Sequence, residues 1–386
     1  MRSRDPRENH RVATPLELLF DLCFVVAIAL AAAELHHALI ENHVLDGLQS
    51  FGMAFFAIWW AWMNFTWFAS AYDTDDALYR LTTFVQMAGV LVLAAGVPSG
   101  ARNEFTLVVV GYVLMRIAMV TQWLRVAASD PARRRCALRY AGGIFACQVF
   151  WTLLVLAPGY TLLVFAVGVV AELAVPVWAE RVEPTTWHPH HIAERYGLFT
   201  IIVLGESILA ATTAIQEAIS AGRASAALAT LAVAGLVIVF SMWWLYFSVP
   251  AHDLLSSIRA ALTWGYGHVV IFGSAAAVGA GLQVAIDFDL GEGTLPATGA
   301  GLATAVPVAV YILTVWLLQI RVCVEVHGMA MMVAFPAAAA LVLLTAFTGA
   351  PIHLTALVLA VLVAITVVTG RRHAAADLQP EPGAHL

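Results

Sequence analysis

Of the 386 residues, 61% are hydrophobic and only 11% are charged, whereas a soluble domain carries roughly 45–50% and about 25%. The apolar residues run in stretches of about 17 to 24, the length a helix needs to cross a hydrocarbon core of roughly 30 Å, which excludes a soluble globular fold. The formal net charge of -6, with all 19 basic residues Arg, says little about partners, and no nucleic-acid partner is expected.

Hydropathy windows predict helices over 16–35, 48–70, 81–97, 105–124, 138–157, 160–179, 196–216, 225–248, 263–285, 305–323, 332–348 and 351–369. The breaks between them carry Gly, Pro or charge, as at Pro98-Ser99-Gly100, Pro158-Gly159, 287–293 and Gly349-Ala350-Pro351. The expected fold class is all-α, a polytopic integral membrane helix bundle of about twelve transmembrane helices. The organisation expected is an N-terminal tail over 1–13, a six-helix half over 14–179, a loop over 180–195, a second half over 196–370 and a C-terminal tail over 371–386.

Orientation follows from the Arg residues, because positive loops resist translocation. With the N-terminus inside, 16 Arg face the cytoplasm, Arg195 and Arg321 among them, Arg102 and Arg223 lie outside, and Arg116 is intramembrane. Both termini are therefore expected in the cytoplasm of a bacterial inner membrane. An Arg-rich leader before an apolar run ending at Ala31-Ala32-Ala33 also has the outline of a signal peptide. Glu17 and Asp21 are out of place in the apolar region of such a peptide, so the first segment is read as a retained helix.

The halves share features: 67–73 (WFASAYD) and 247–253 (FSVPAHD) end comparable helices, each after a Trp-rich run, and Arg116 has a counterpart in Arg321. A six-plus-six parallel pseudo-repeat is expected from this. Interfacial Trp belts that recur in any membrane protein are the plainer explanation.

Ionisable groups at membrane depth are costly unless paired or wetted. Glu17 and Asp21 stand four apart on one helix face and need an Arg, a cation or a shared proton. Glu206 lies near the expected midplane at a depth similar to Arg116, and Glu172 is a second acid within reach of Arg116 or Arg321. Each of these acids also has a plainer reading as half of a packing ion pair. The stretch from His188 through His190, His191 and Glu194 is a candidate pH-sensing or metal-binding loop, with an ordinary solvated loop as its alternative.

The run Arg133-Arg134-Arg135 and the acidic loop of Asp287, Asp289 and Glu292 are read as solvated loops and topology signals. Cys23, Cys136, Cys147 and Cys323 form no CxxC pair and are expected as free thiols. No phosphate-binding loop, nucleophile elbow or HExxH occurs, so no metal site and no cofactor is expected.

The stretch 14–25, TPLELLFDLCFV, resembles the ELFFDLVFV signature of the bacterial low temperature requirement A family, and 194–206, ERYGLFTIIVLGE, is similar to that family's ERxxLFxIIxLGE segment. Leu19 and Cys23 depart from the usual Phe and Val, and neither change touches the acids. The resemblance spans roughly 10–370 and implies the membrane fold; the family name reports growth in the cold, not a reaction. A looser likeness, over Phe20 to Ala29, is to the FSDGVFAIAI motif of endolysosomal six-plus-six-helix potassium and proton channels, without its Ser.

The function expected is transport or conduction of a small ion or solute, proton-linked through Glu17, Asp21, Glu172 and Glu206, with Arg116 and Arg321 as buried charge partners. An intramembrane enzyme acting on a lipid or lipid-linked substrate, and a cold-adaptation sensor or structural protein, are the alternatives. The expected partners are membrane lipid and the transported species, with a homo-oligomer open.

Overall fold

The first helix begins where its sequence supplies both halves of a capping box. Thr14 Oγ1 accepts from the Glu17 backbone N–H at 3.3 Å, and Glu17 Oε2 accepts from the Thr14 backbone N–H at 2.8 Å. Pro15, next in line, has no N–H to leave unpaired and a φ already suited to a first turn. A computed structural model describes residues 1, 3–5, 8, 11–100, 104–156 and 162–377. Among them there is no strand, and twelve helices follow in order.

These are α1 (Pro15–Ile40), α2 (Val44–Tyr72), α3 (Ala77–Gly100), α4 (Thr106–Ser129), α5 (Arg134–Leu156) and α6 (Leu162–Glu180). After them come α7 (Pro189–Ser220), α8 (Ala226–Tyr246), α9 (Ile258–Asp289), α10 (Ala297–Val315), α11 (Val324–Thr345) and α12 (Pro351–Asp377). Eleven are long and apolar enough to cross a membrane, and α11 contributes a shorter apolar stretch, Met329–Thr345. The chain is a multi-pass helical membrane protein. Helices α1, α2, α3, α7 and α9 begin and end beyond the apolar windows that predicted them, because polar caps and turns carry the helix past the hydrocarbon boundary, whereas α8 is shorter than its window and α10 and α11 start and end earlier than theirs.

The expected hairpin at Pro158-Gly159, together with Arg2, Arg7 and Arg102, lies outside the described residues, as do the side chains of Cys323, Glu325, His327, Arg371 and Arg372. Cys23, Cys136 and Cys147 are free thiols.

The chain divides into two compact units, one of Met1–Glu34 with Leu45–Ile202, the other of Leu35–Val44 with Val203–Leu386. In the first unit α3 and α4 meet backbone to backbone. A Cβ on Gly111 would come within 2.3 Å of Leu93 N, so only Gly allows this approach. In the second unit the same device joins α9 to α10, where a Cβ on Gly281 would lie 2.3 Å from Ala303 O.

Candidate functional site

Two charged clusters lie inside the first unit, and they differ in how completely they are closed. The first joins α4 and α6. Arg116 Nη2 donates to Glu172 Oε2 at 3.1 Å and to the Tyr112 hydroxyl at 2.7 Å. Glu172 also accepts from Trp60 Nε1 (2.9 Å), the Tyr112 hydroxyl (3.0 Å), Trp151 Nε1 (3.1 Å) and Gln148 Nε2 (3.3 Å). One guanidinium faces one carboxylate, both carboxylate oxygens are covered by donors, and both residues are 1% exposed, although Arg116 Nε and Gln148 Oε1 have no hydrogen-bond partner among the described residues. Such a pair locks four helices, α2, α4, α5 and α6, and leaves the carboxylate no lone pair pointing at empty space.

The second cluster is built from two helix faces of matching period. Glu17 and Asp21 stand four apart on α1, and His191 and Arg195 stand four apart on α7, so each pair shows two side chains on one face. His191 Nε2 lies 3.1 Å from Glu17 Oε1, and Arg195 Nη2 donates to Asp21 Oδ1 at 2.6 Å. Arg195 Nη1 is 3.5 Å from Glu17 Oε1, tying the two rungs together. From α2, Trp62 Nε1 donates to Asp21 Oδ1 at 2.7 Å and Thr66 Oγ1 accepts from Arg195 Nη2 at 3.4 Å.

All four charged or titratable side chains are 0% exposed. Aromatic rings form the wall around them: Phe20 stacks on Phe65 at 3.9 Å, and Trp62 stacks on Phe199 at 4.2 Å and meets Tyr196 edge-on.

This second cluster is open. Asp21 Oδ2, His191 Nδ1 and Arg195 Nε have no hydrogen-bond partner among the described residues, and Glu17 Oε1 and Arg195 Nη1 are held by ion-pair contacts alone. In direct contact two carboxylates face one guanidinium, and the buried Arg11, within electrostatic reach of Glu17, donates instead to the Ser70 and Ala69 carbonyls. Arg keeps its proton at any physiological pH, so one negative charge remains unless a proton or cation joins the cluster. His191 already points its Nε2 at Glu17, and a carboxylate only accepts, so Nε2 carries hydrogen and the unpartnered Nδ1 is where a second proton would sit.

Several sequence expectations change here. Residues 189–195, expected within a loop, are the opening turns of α7, and Arg195, expected in the cytoplasm, is fully buried. His188 is no ligand in waiting. Its Nδ1 accepts from the His191 backbone N–H at 3.4 Å, capping the start of α7, and its Nε2 reaches the Glu8 carbonyl at 2.7 Å, tying that start to the N-terminal segment. His190 is exposed, and Glu194 accepts from the Ala13 backbone at 3.3 Å. The four residues of the candidate loop therefore face different tasks. Among the described residues, no three His, Cys, Asp or Glu side chains gather to hold a metal.

Arg116 pairs with Glu172, the second of the two acids considered for it, and not with Glu206. Arg321, expected to be buried with an acid, is exposed, with its guanidinium 5.9 Å from the Trp316 ring centroid. A π-turn at Trp316–Ile320 separates it from α10.

In the second unit Glu206 is half-buried and has no hydrogen bond or ion pair among the described residues. Its neighbour Ser207 is buried, donating to Ala275 O at 3.0 Å, and a Cβ on Gly205 would meet nothing within 4 Å. Glu206 thus stands to one side of the packed face of α7.

The match to the family model for "Bacterial low temperature requirement A protein (LtrA)" runs over residues 12–369, nearly the whole chain. This protein belongs to the LtrA family. An uncharacterized protein of Rhizobium meliloti (strain 1021) is 28% identical over 295 residues, covering 71% of this chain and 70% of that protein. No solved structure matches. Both LtrA segments quoted from the sequence converge on the open cluster, since Glu17 and Asp21 belong to the first and Arg195 to the second. Arg195 could have been found earlier: its i, i+4 relation to His191 mirrors that of Glu17 and Asp21. The capping box at Thr14-x-x-Glu17 was also readable.

Proposed function

We propose that this LtrA protein moves a small cation across a bacterial inner membrane, with protons as the favoured coupling species and both termini on the cytoplasmic side. The carrying observation is the charge imbalance of the Glu17–Asp21–His191–Arg195 cluster. A network that served only packing would balance its charges one for one, as Arg116 and Glu172 do. Leaving a carboxylate oxygen bare inside a membrane protein costs several kcal/mol by desolvation, roughly what a function must justify.

The cluster binds one positive charge at a time. With the site empty, Arg195 balances one carboxylate and the other carries the excess charge. A proton entering at His191 Nδ1 or at Asp21 Oδ2 neutralises that excess, and its departure restores it. Glu206 in the second unit is a separate single-carboxylate site of the same type, since no Arg or His holds it among the described residues. The Arg distribution supports the proposed orientation.

The test is reconstitution. Purified protein in vesicles, given an imposed pH or potassium gradient, should dissipate it faster than protein-free vesicles of the same lipid. Vesicles that hold both gradients as tightly as empty ones would overturn the reading.

A further inference from the structure

At one end of the first unit the start of α5 is drawn against the segment after α6. Arg139 Nη1 donates to the Trp178 carbonyl at 3.0 Å and Arg133 Nε to the Pro184 carbonyl at 3.1 Å. These two adjoining segments carry five Arg: Arg133, Arg134, Arg135 and Arg139 on the α5 side and Arg181 just after α6. Arg133 is occupied by Asp130 at 3.3 Å. Arg134, Arg135 and Arg181 are exposed and have no partner among the described residues, and Arg139 uses only Nη1.

The nearby acids do not answer this charge. Asp130 is taken by Arg133 and accepts from the Tyr72 hydroxyl, and Glu180 accepts from Tyr140 and Thr185. Glu183 alone among these acids lacks a partner among the described residues, so three unpaired guanidinium groups and the remaining N–H groups of Arg139 outnumber one half-buried carboxylate.

What sits beside them is apolar. The Arg139 guanidinium lies 4.9 Å from the centroid of the Trp178 ring, and Trp178 is 47% exposed, next to Val177 and, on α5, Leu138, both exposed. An amphipathic indole with a cation on its face, at the end of membrane-crossing helices, marks the headgroup level of a bilayer. The exposed apolar side chains continue from it toward the hydrocarbon.

We propose that Arg134, Arg135, Arg139 and Arg181 form a site for the headgroup of an anionic phospholipid, whose acyl chains lie along Trp178, Val177 and Leu138. The headgroup phosphate accepts from Arg134, Arg135 and Arg181, which have no partner among the described residues, and from the N–H groups that Arg139 does not spend on the Trp178 carbonyl, and Arg suits it because its planar fork meets two phosphate oxygens at once. A zwitterionic lipid brings an ammonium group to the same Arg residues and is disfavoured. Charge complementarity and the adjoining apolar strip together select a lipid over a soluble anion.

The experiment uses the full-length protein in a neutral maltoside detergent, titrated with phosphatidylglycerol, phosphatidylcholine or inorganic phosphate, with bound lipid counted by native mass spectrometry. Phosphatidylglycerol should be retained, and phosphatidylcholine and phosphate should not compete for it. The variant Arg134→Gln, Arg135→Gln, Arg181→Gln removes three exposed charges without breaking any internal contact. Its affinity for phosphatidylglycerol should fall on the order of a hundredfold, from about fivefold per Arg.

Equal retention of phosphatidylcholine, displacement by phosphate alone, or undiminished retention by the triple variant would each overturn the proposal. Thermal unfolding of the triple variant in detergent alone should match the wild type. A variant that unfolds earlier is replaced by Arg181→Gln alone, which should weaken binding about fivefold, and undiminished binding there would overturn the proposal as well.

Discussion

Arg195 and Asp21 meet at 2.6 Å, 174 positions apart in the chain, with neither side chain exposed. This contact joins the two sequence segments most characteristic of the chain and holds α1 against α7 through charge, where their apolar faces alone would be free to slide. The same Arg also stands 3.5 Å from Glu17. Removing it strands two carboxylates.

Arg195→Ala is therefore expected to destabilise the protein by about 3–5 kcal/mol, the range seen when one partner of a buried pair is deleted. Asp21→Asn combined with Arg195→Ala should recover part of that loss. Thermal unfolding in detergent for the wild type, both single variants and the double variant gives the coupling directly. Additive losses would mean that the two side chains do not interact.

The Arg116–Glu172 pair should behave as structure alone. Glu172→Gln leaves Arg116 buried without a counter-charge and should cost about 3–5 kcal/mol of stability. In vesicles matched for folded protein, flux should stay at the wild-type rate. Intact stability with lost flux would transfer the functional role to this cluster.

The capping box gives a smaller effect with a local signature. Thr14→Ala removes the acceptor for the Glu17 N–H and should lower stability by about 1 kcal/mol. Thr14→Ser keeps the oxygen and should restore most of it. Unfolding temperatures for the two variants decide the point.

Asp73, just beyond α2, offers a pH test outside the membrane-spanning segments. Burial pushes its carboxyl above the ordinary carboxylate range, against the opposing pull of Arg11 and Arg4. The folded state therefore holds its proton to higher pH than the unfolded chain does. This contribution is complete below the ordinary Asp range and is lost as pH rises through the raised value. Asp73→Asn should flatten that decline and stabilise the protein at neutral pH. An unchanged slope of stability against pH would contradict it.

Much of the architecture was legible because lipid imposes it. A segment that must satisfy its own backbone and face hydrocarbon shows itself as a long apolar run, so the helices fell where hydropathy placed them. The acids of α1 were legible too, since Glu17 and Asp21 contradict their apolar surroundings. Their partner was less so. Arg195 follows a His- and Pro-containing stretch that has the composition of a loop, and only the contact with α1 shows that it lies inside. Arg321 failed in the opposite sense, because a π-turn separates it from α10 and period alone cannot register one inserted residue. Glu172 was recognised as deep, but its four neutral donors come from α2, α4 and α5, and no spacing within α6 announces them.

Proton flux into vesicles holding equal amounts of wild type, Glu17→Gln with Asp21→Asn, and Glu206→Gln tests the central claim most directly. Each amide keeps the shape of its acid and removes the charge. The wild type should dissipate an imposed pH gradient faster than empty vesicles, the paired variant should fall to the rate of empty vesicles, and Glu206→Gln should fall well below wild type at equal folded protein. Wild-type flux in both variants would make these carboxylates packing elements and contradict the account.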